Sequence, residues 1–299
     1  MIRLTKEHRV FAFSAEAVPS LRIAGGTTLE LETADCFDDQ VQWPGDVLAE
    51  VDWDRINPAT GPVYVEGAGP GDVLSVLIER IDVGEQGVMA VGPGFGVLAD
   101  GFEEQVSRIV PIVDGAAQLD EGLAIPLRPM IGVIGVAPAG APVPTASPGA
   151  HGGNMDTRLI GPGAVLYLPV ACSGALFAVG DLHAAMGDGE ICGTGVEVAG
   201  CVTLRLDVRR DLEIAGPVVE TPDLVATIAS AETLDAATDA ATRDMTALLT
   251  GRLGLSLEVA TMLMSAGGEL QVSQIVDPLR TARFALPKAC YAGLGVDLL

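Results

Sequence analysis

"LIGPGAVLYLPVACSGALFAVG", Leu159–Gly180, carries no charged residue over a length that could cross a bilayer, and its reading decides the fold. Gly161, Pro162, Gly163, Pro169 and Gly174 interrupt it too often for one continuous helix, since proline and glycine break helical geometry. It therefore predicts two short buried strands joined by turns, in a soluble protein with no membrane partner.

The neighbouring sequence has the same character. "TTLELET" (27–33), "VYVEG" (63–67), "DVLSVLIERIDV" (72–83) and "VTLRLDV" (202–208) are strand-type runs. In the last, Val202, Leu204, Leu206 and Val208 alternate with Thr203, Arg205 and Asp207, the period of a half-buried strand. Turn signals such as "GAGPGD" and "VGPGFG" lie between them, and the Pro/Gly-rich stretch Ala137–Gly153 is either a module boundary or a long loop approaching a site. After Pro222 the pattern changes. Leu234–Thr250 places Leu234, Ala237, Ala241, Met245 and Leu248 at helical spacing, and "SLEVATMLMS" begins with a capping Ser256, so two helices joined by "GRLGL" are predicted before "ELQVSQIV" (269–276) returns to strand.

Composition bounds the function. With 299 residues and 49% hydrophobic content the chain can bury a core without disulfides or metal staples. Its 37 Gly and 19 Pro against 4% aromatics favour many short elements, hence an all-β or α+β protein rather than a helical bundle. A formal charge of -23 argues against phosphate neutralisation, so nucleic acid is excluded as a partner; a solvated acidic surface accounts for most of that charge. Cys36, Cys172, Cys192, Cys201 and Cys290 are odd in number and without CxxC spacing, and the opening "MIRLTKEHRV" lacks the apolar run of a signal peptide; both point to reduced thiols in the cytoplasm.

Three clusters concentrate ionisable groups. In "HGGNMDTR", His151, Asn154 and Asp156 offer one nitrogen and two oxygen donors within six residues, although a polar turn is the commoner outcome for such a cluster taken alone. In "GDLHAAMGDGE" (Gly180–Glu190), Asp181 and His183 project from one face if the preceding apolar run is a strand, and Asp188 and Glu190 can fold back over them. An Asp-Gly turn explains Asp188 but not why Asp181 and His183 end an apolar run, where unpaired charge is costly. In "LETADCFDDQ", Glu32, Asp35, Asp38 and Asp39 repel one another unless a cation, a proton or solvent intervenes, and a solvated acidic loop is the commoner outcome.

The phrases "GPVYVEGAGPGDVL", "PMIGVIGVAP", "PGAHGGNMDTRLIGPGAVLYLPV", "GALFAVGDLHAAMGDGEICGTGVE" and "SQIVDPLRTARFALPK", in this order from about Glu32 to Lys288, resemble the acetamidase/formamidase family. The resemblance implies a hydrolase of small linear amides. It implies an α+β, predominantly β fold: a β-sandwich or barrel-like composite core with a C-terminal α+β part. The organisation expected is a β-rich part at 1–90, a small inserted β module at 91–149, a β-rich part carrying the motifs at 150–215, and the α+β part at 216–299. Members of the family are expected to be metal-associated, cytoplasmic and homo-oligomeric.

On that resemblance, one divalent metal is expected on Asp35, Asp156 and His183 with Asp181 nearby: zinc first, manganese or calcium as alternatives. Glu190 would accept the proton of the attacking water and deliver it to nitrogen, while His151 and Asn154 would orient the carbonyl or the intermediate. Met186 stands where the family usually has Gln, which removes a donor and an acceptor from a position expected to touch the amide, and Thr261 stands where an aromatic is commoner. Two other readings remain: a non-catalytic or diverged metal-binding β protein of the same fold, and a thiol-dependent amidase using Cys172 or Cys192.

Overall fold

The uncharged stretch divides into the strands Val165–Pro169 and Phe177–His183, which lie in different sheets. The computed structural model describes residues 2–46 and 48–299 of the chain, and among these no helix is long and apolar enough to cross a membrane.

One sheet has nine strands, in the spatial order Ile2–Leu4, Thr27–Thr33, Gly200–Arg209, Val73–Val83, Val165–Pro169, Val218–Glu220, Leu224–Ala231, Arg280–Pro287 and Glu269–Gln274. The alternation of 202–208 is realised in part: Val202, Leu204 and Leu206 are buried while Arg205 and Asp207 face solvent, but Thr203 is buried as well and Val208 only half-buried. The other large sheet is built around Phe177–His183, which pairs antiparallel with Met130–Gly135, Glu197–Val198 and Ala59–Glu66. Leu29, Leu31, Leu204 and Leu206 of the first sheet and Val63, Ile131, Phe177 and Val179 of the second belong to one apolar cluster, so the two sheets share a core. The fold is mostly β, as the sequence predicts.

Two helices cover the C-terminal part of the first sheet. The helix Leu234–Leu253 is capped by Thr233, whose Oγ1 accepts from Ala236 N at 3.2 Å, and buries Ala237, Ala241, Met245, Leu248 and Leu249. It runs three residues further than its spacing predicted. Gly251 to Leu253 stay helical, and the chain leaves at Gly254, which adopts the left-handed φ of 63° suited to a glycine C-cap. The helix Leu257–Gly267 starts on Ser256, whose hydroxyl accepts from Val259 N at 3.3 Å.

The acidic segment after Thr27–Thr33 is not the solvated loop its composition suggests. Asp38 is buried against Arg9 and Arg55, and Asp39 pairs with Lys6. Cations from distant parts of the chain neutralise the segment, and such pairings leave no local signal in the sequence.

Candidate active site

Phe177–His183 ends in a group of buried acids around one imidazole. Asp181 Oδ1, Asp156 Oδ1, Glu190 Oε1 and Glu197 Oε2 lie 3.5, 3.8, 4.0 and 3.1 Å from His183 Nε2. All five side chains are buried. Asp181, Asp156 and Glu190 also take left-handed backbone angles, with φ of 54°, 42° and 47°, a conformation unfavourable for residues other than glycine. Asp181 and His183 converge as strand alternation predicts, and Asp181 does so while carrying a left-handed φ within the strand.

Two glycines make the room. A β-carbon on Gly132 would sit 2.3 Å from Asp181 Oδ2 and 2.5 Å from Asp156 Oδ1, and one on Gly195 would sit 2.6 Å from His183 Nδ1. Only hydrogen fits at either position.

The second motif turn is docked rather than free. Asp188 lies in a turn as predicted, but its carboxylate also accepts from Arg283 Nη2 at 2.7 Å and pairs with Arg158 Nε at 3.0 Å. Gly189 N donates to Ser273 O at 2.8 Å and Ile275 N donates to Gly189 O at 3.2 Å. These contacts fasten the segment that carries Glu190 to the strand Glu269–Gln274.

The electrostatics follow from burial. Burial pushes the Asp156 carboxyl well above the usual range, and the Asp277 and Asp181 carboxylates push it further. Glu190 is raised by burial first and Asp156 second. Burial raises Glu197 to about 7 against the opposing pull of His183. Burial alone would lower His183; Glu197 and Asp181 outweigh it and hold the imidazole pKa well above its ordinary value.

Several polar atoms remain without a hydrogen-bond partner: both oxygens of Asp156, Oδ1 of Asp181, Oε2 of Glu197 and both ring nitrogens of His183. The 3.1 Å approach of His183 to Glu197 lacks hydrogen-bond geometry, so it relieves neither atom. Buried unpartnered donors and acceptors cost free energy unless something satisfies them, and a divalent cation would do so. Ligand atoms on a tetrahedral ion with bonds of about 2.1 Å lie roughly 3.4 Å apart, close to the 3.5 and 3.8 Å separating His183 from Asp181 and Asp156. Asp156, His183 and Glu190 form one group with ligand atoms within 4.8 Å of each other, and Cys36, Asp181 and Glu197 form another. The donor set fits a cation.

Other expected site residues are placed differently. Asp35 is turned away. Its Oδ1 accepts from Phe37 N at 3.0 Å and Asp39 N at 2.9 Å, and its Oδ2 accepts from Gln42 Nε2 at 2.9 Å, so the carboxylate caps its own turn while Cys36 faces Asp181 and Glu197. His151 packs edge-on against Phe13, with ring centroids 5.2 Å apart, and makes no ion pair among the described residues. Burial lowers its pKa to about 4. Asn154 joins the site: its Nδ2 donates to Asp277 Oδ2 at 3.0 Å, and its buried Oδ1 is unpartnered. Cys172 Sγ has only carbonyl oxygens near it, at 3.9 Å, and burial pushes its thiol up, so nothing activates it. Cys192 Sγ contacts Thr194, with the carbonyl oxygen at 3.3 Å.

Two cavities meet at Glu190. One of about 220 Å³ contains Asp181, Glu197, Asn154 and Asp277. The other, about 560 Å³, is lined by Met186, Arg158, Asp188, Cys192 and Ile125, so Met186 lines the second cavity and not the first. A third, about 790 Å³, lies between the two helices beside Thr246, Leu257, Met264 and Phe284, away from the acids, so size alone does not mark the site. Thr261 lines that helical cavity. Sequence reasoning missed Glu197, Asp277, Cys36 and Gly132. Glu197 and Asp277 fall inside the motif phrases "GTGVE" and "SQIVDP", the one signal that could have drawn attention to them.

The profile of the Acetamidase/Formamidase family matches residues 12–143 and 139–292. The crystal structure of an acetamidase from Bacillus halodurans is similar at a TM-score of 0.96 and 49% identity, over 99% of this chain and 100% of that one. That of a predicted acetamidase/formamidase from Thermoanaerobacter tengcongensis is similar at 0.97 and 50% identity, over 99% and 98%. The formamidase of Methylophilus methylotrophus is 28% identical over 224 residues, 55% of this chain and 54% of its own length. The chain spans 54% to 60% of the length of the curated relatives it matches.

Proposed function

The chain belongs to the acetamidase/formamidase family, and from that premise we propose that it hydrolyses the C–N bond of small linear amides, releasing ammonia and a carboxylate. The observation that carries the reading is the set of unpartnered buried donors around His183, which opens into a cavity at Glu190 and Asn154.

Asp156, Asp181 and His183 would hold the cation, zinc by the mixed nitrogen and oxygen donors, with manganese or calcium as alternatives. Bound there, it would offset the repulsion among the carboxylates, polarise a carbonyl and acidify water towards a pKa of about 7.

The chain's own groups do the rest. Glu190, raised by burial and Asp156, suits a carboxylate that takes a proton from water and returns it to the amide nitrogen, since ammonia leaves only when protonated. Asn154 is fixed by its bond to Asp277, which leaves Oδ1 to accept an N–H of the substrate amide and so orient the carbonyl carbon. Glu197, fixed through Oε1 by Gly195 N, aims Oε2 at the same nitrogen of His183 and would add a carboxylate oxygen beside the cation. The docked turn around Asp188 fixes where Glu190 stands.

The test is ammonia release from formamide and acetamide by protein stripped with chelator and then restored with zinc, manganese or calcium. Glu190→Gln should retain the metal and lose about 10²- to 10⁴-fold in kcat. A Glu190→Gln protein with an unchanged rate overturns that role, and activity indifferent to chelation overturns the metal.

A further inference from the structure

Aromatic residues are 4% of this chain, yet three of them meet at the mouth of the cavity that holds Asp181, Glu190 and Glu197. Phe37 and Trp53 stand edge to face, with centroids 6.4 Å apart at 81°, and Trp53 and Phe95 are tilted at 5.7 Å and 52°. Ile56 and Pro278 extend the same apolar lining.

The placement is held by built contacts. Trp53 begins a short 3-10 turn, Trp53–Arg55, capped by Asp52, whose Oδ1 accepts from Asp54 N at 3.1 Å. Arg55 at its end is tied to the buried Asp38. Phe37 is buried, whereas Trp53 keeps 42% of its surface exposed, so part of its indole remains available for contact.

We propose that this wall is the acyl subsite, and that the preferred substrate is a neutral amide whose acyl group is apolar and bulkier than acetyl, of butyryl to benzoyl size. The proposal rests on the amidase reading above and narrows its substrate class. Volume supports it: at about 220 Å³ the cavity exceeds the roughly 150 Å³ of an apolar cavity that takes up benzene, whereas acetamide has only four heavy atoms. Charge supports it as well. The titratable side chains lining the cavity are Asp181, Glu190, Glu197, Asp277 and the thiol of Cys36, with no basic side chain among the described residues, so an acyl chain ending in a carboxylate finds no pairing partner there. The acids mark the reacting end, and the aromatic rings mark where the rest of the substrate lies.

The experiment compares kcat/KM of the metal-restored protein on acetamide, butyramide, hexanamide, benzamide and succinamate. In parallel, the same amides are titrated against Trp53 fluorescence in a Trp43→Phe background, which leaves Trp53 as the only tryptophan. Burial of one methylene is worth about fourfold, the equivalent of about 0.8 kcal/mol, so kcat/KM should rise more than about tenfold from acetamide to butyramide. Benzamide should exceed acetamide and succinamate should fall below it. Trp53→Ala should cost the longer amides more than acetamide, flattening the series. An active protein whose kcat/KM falls steadily from acetamide upwards, with the same profile in Trp53→Ala, overturns the subsite and leaves the amidase reading standing. A protein that hydrolyses none of the amides but whose Trp53 emission saturates at lower benzamide than acetamide supports the subsite and counts against the amidase reading. Trp53 emission unmoved by every amide overturns the subsite.

Discussion

His183 and Glu197 are direct cross-strand partners in antiparallel strands, with Nε2 and Oε2 3.1 Å apart and neither atom in a hydrogen bond. Side chains opposite one another in such a pair share a face, so the strand pairing itself brings the carboxylate to the imidazole. Glu197 Oε1 meanwhile accepts from Gly195 N at 2.7 Å, which fixes the carboxylate from its other side. Oε2 approaches the same ring nitrogen that Asp181 and Asp156 face, so Glu197 would add a further carboxylate oxygen to the cation's surroundings, and loss of such a neighbour typically costs about 10- to 100-fold in metal affinity. Glu197→Gln should therefore bind zinc about 10- to 100-fold more weakly than wild type in a competition titration. Equal affinity would mean that Glu197 does not support the cation.

Gly132 should tolerate no side chain. A β-carbon there would lie 2.3 Å from Asp181 Oδ2 and 2.5 Å from Asp156 Oδ1, and both acids are short, buried and held at left-handed φ, with little freedom to yield. Gly132→Ala is expected to lose metal binding and most activity, checked by metal content of the purified protein. Full occupancy with normal activity would show that the two carboxylates move apart at little cost.

Arg283 has no exposed side-chain surface, and Asp188 is its one carboxylate partner among the described residues; Gln271, Ser273 and the Val272 carbonyl also accept hydrogen bonds from it. Asp188 is itself 28% exposed, which weakens the pair relative to a fully buried one. Replacing Asp188 by Ala strands the guanidinium and should destabilise the protein by roughly 2–3 kcal/mol in urea denaturation. It should also loosen the turn carrying Glu190 and lower kcat more than it raises KM for acetamide. A wild-type unfolding midpoint in Asp188→Ala would show the pair to be dispensable.

What could be read in advance depended on how local each relationship is. The strand periods, the helix caps Thr233 and Ser256, and the convergence of Asp181 and His183 are decided by residues within one element. Asp35 follows a local preference too: aspartate readily caps the backbone two residues on, and here its carboxylate is engaged in that way while Cys36 faces Asp181 and Glu197. Glu197, Asp277 and Gly132 reach the site through strand pairing and contacts between segments distant in sequence, which alternation within one segment does not encode. The pairing of Asp38 with Arg9 and Arg55 is of the same kind.

His151 gives a pH dependence whose sign can be stated. Burial lowers its folded pKa from 6.5 to about 4, so between those values the unfolded chain takes up a proton that the folded protein refuses. The stability associated with the neutral ring is complete above pH 6.5 and is lost as pH falls towards 4, by at most about 3 kcal/mol. Asp35 and Glu197, both raised to about 7, act oppositely: acidification through that range favours the folded state, which holds their protons more tightly. The net curve therefore mixes signs, and the informative quantity is the difference between wild type and His151→Gln. That difference should change by about 1–3 kcal/mol between pH 7 and pH 4.5 in denaturant titrations, the variant losing less stability on acidification. If the two proteins lose the same amount, His151 is protonated in the fold, and its unpartnered Nε2 is satisfied by a proton acceptor other than the Phe13 ring against which it packs.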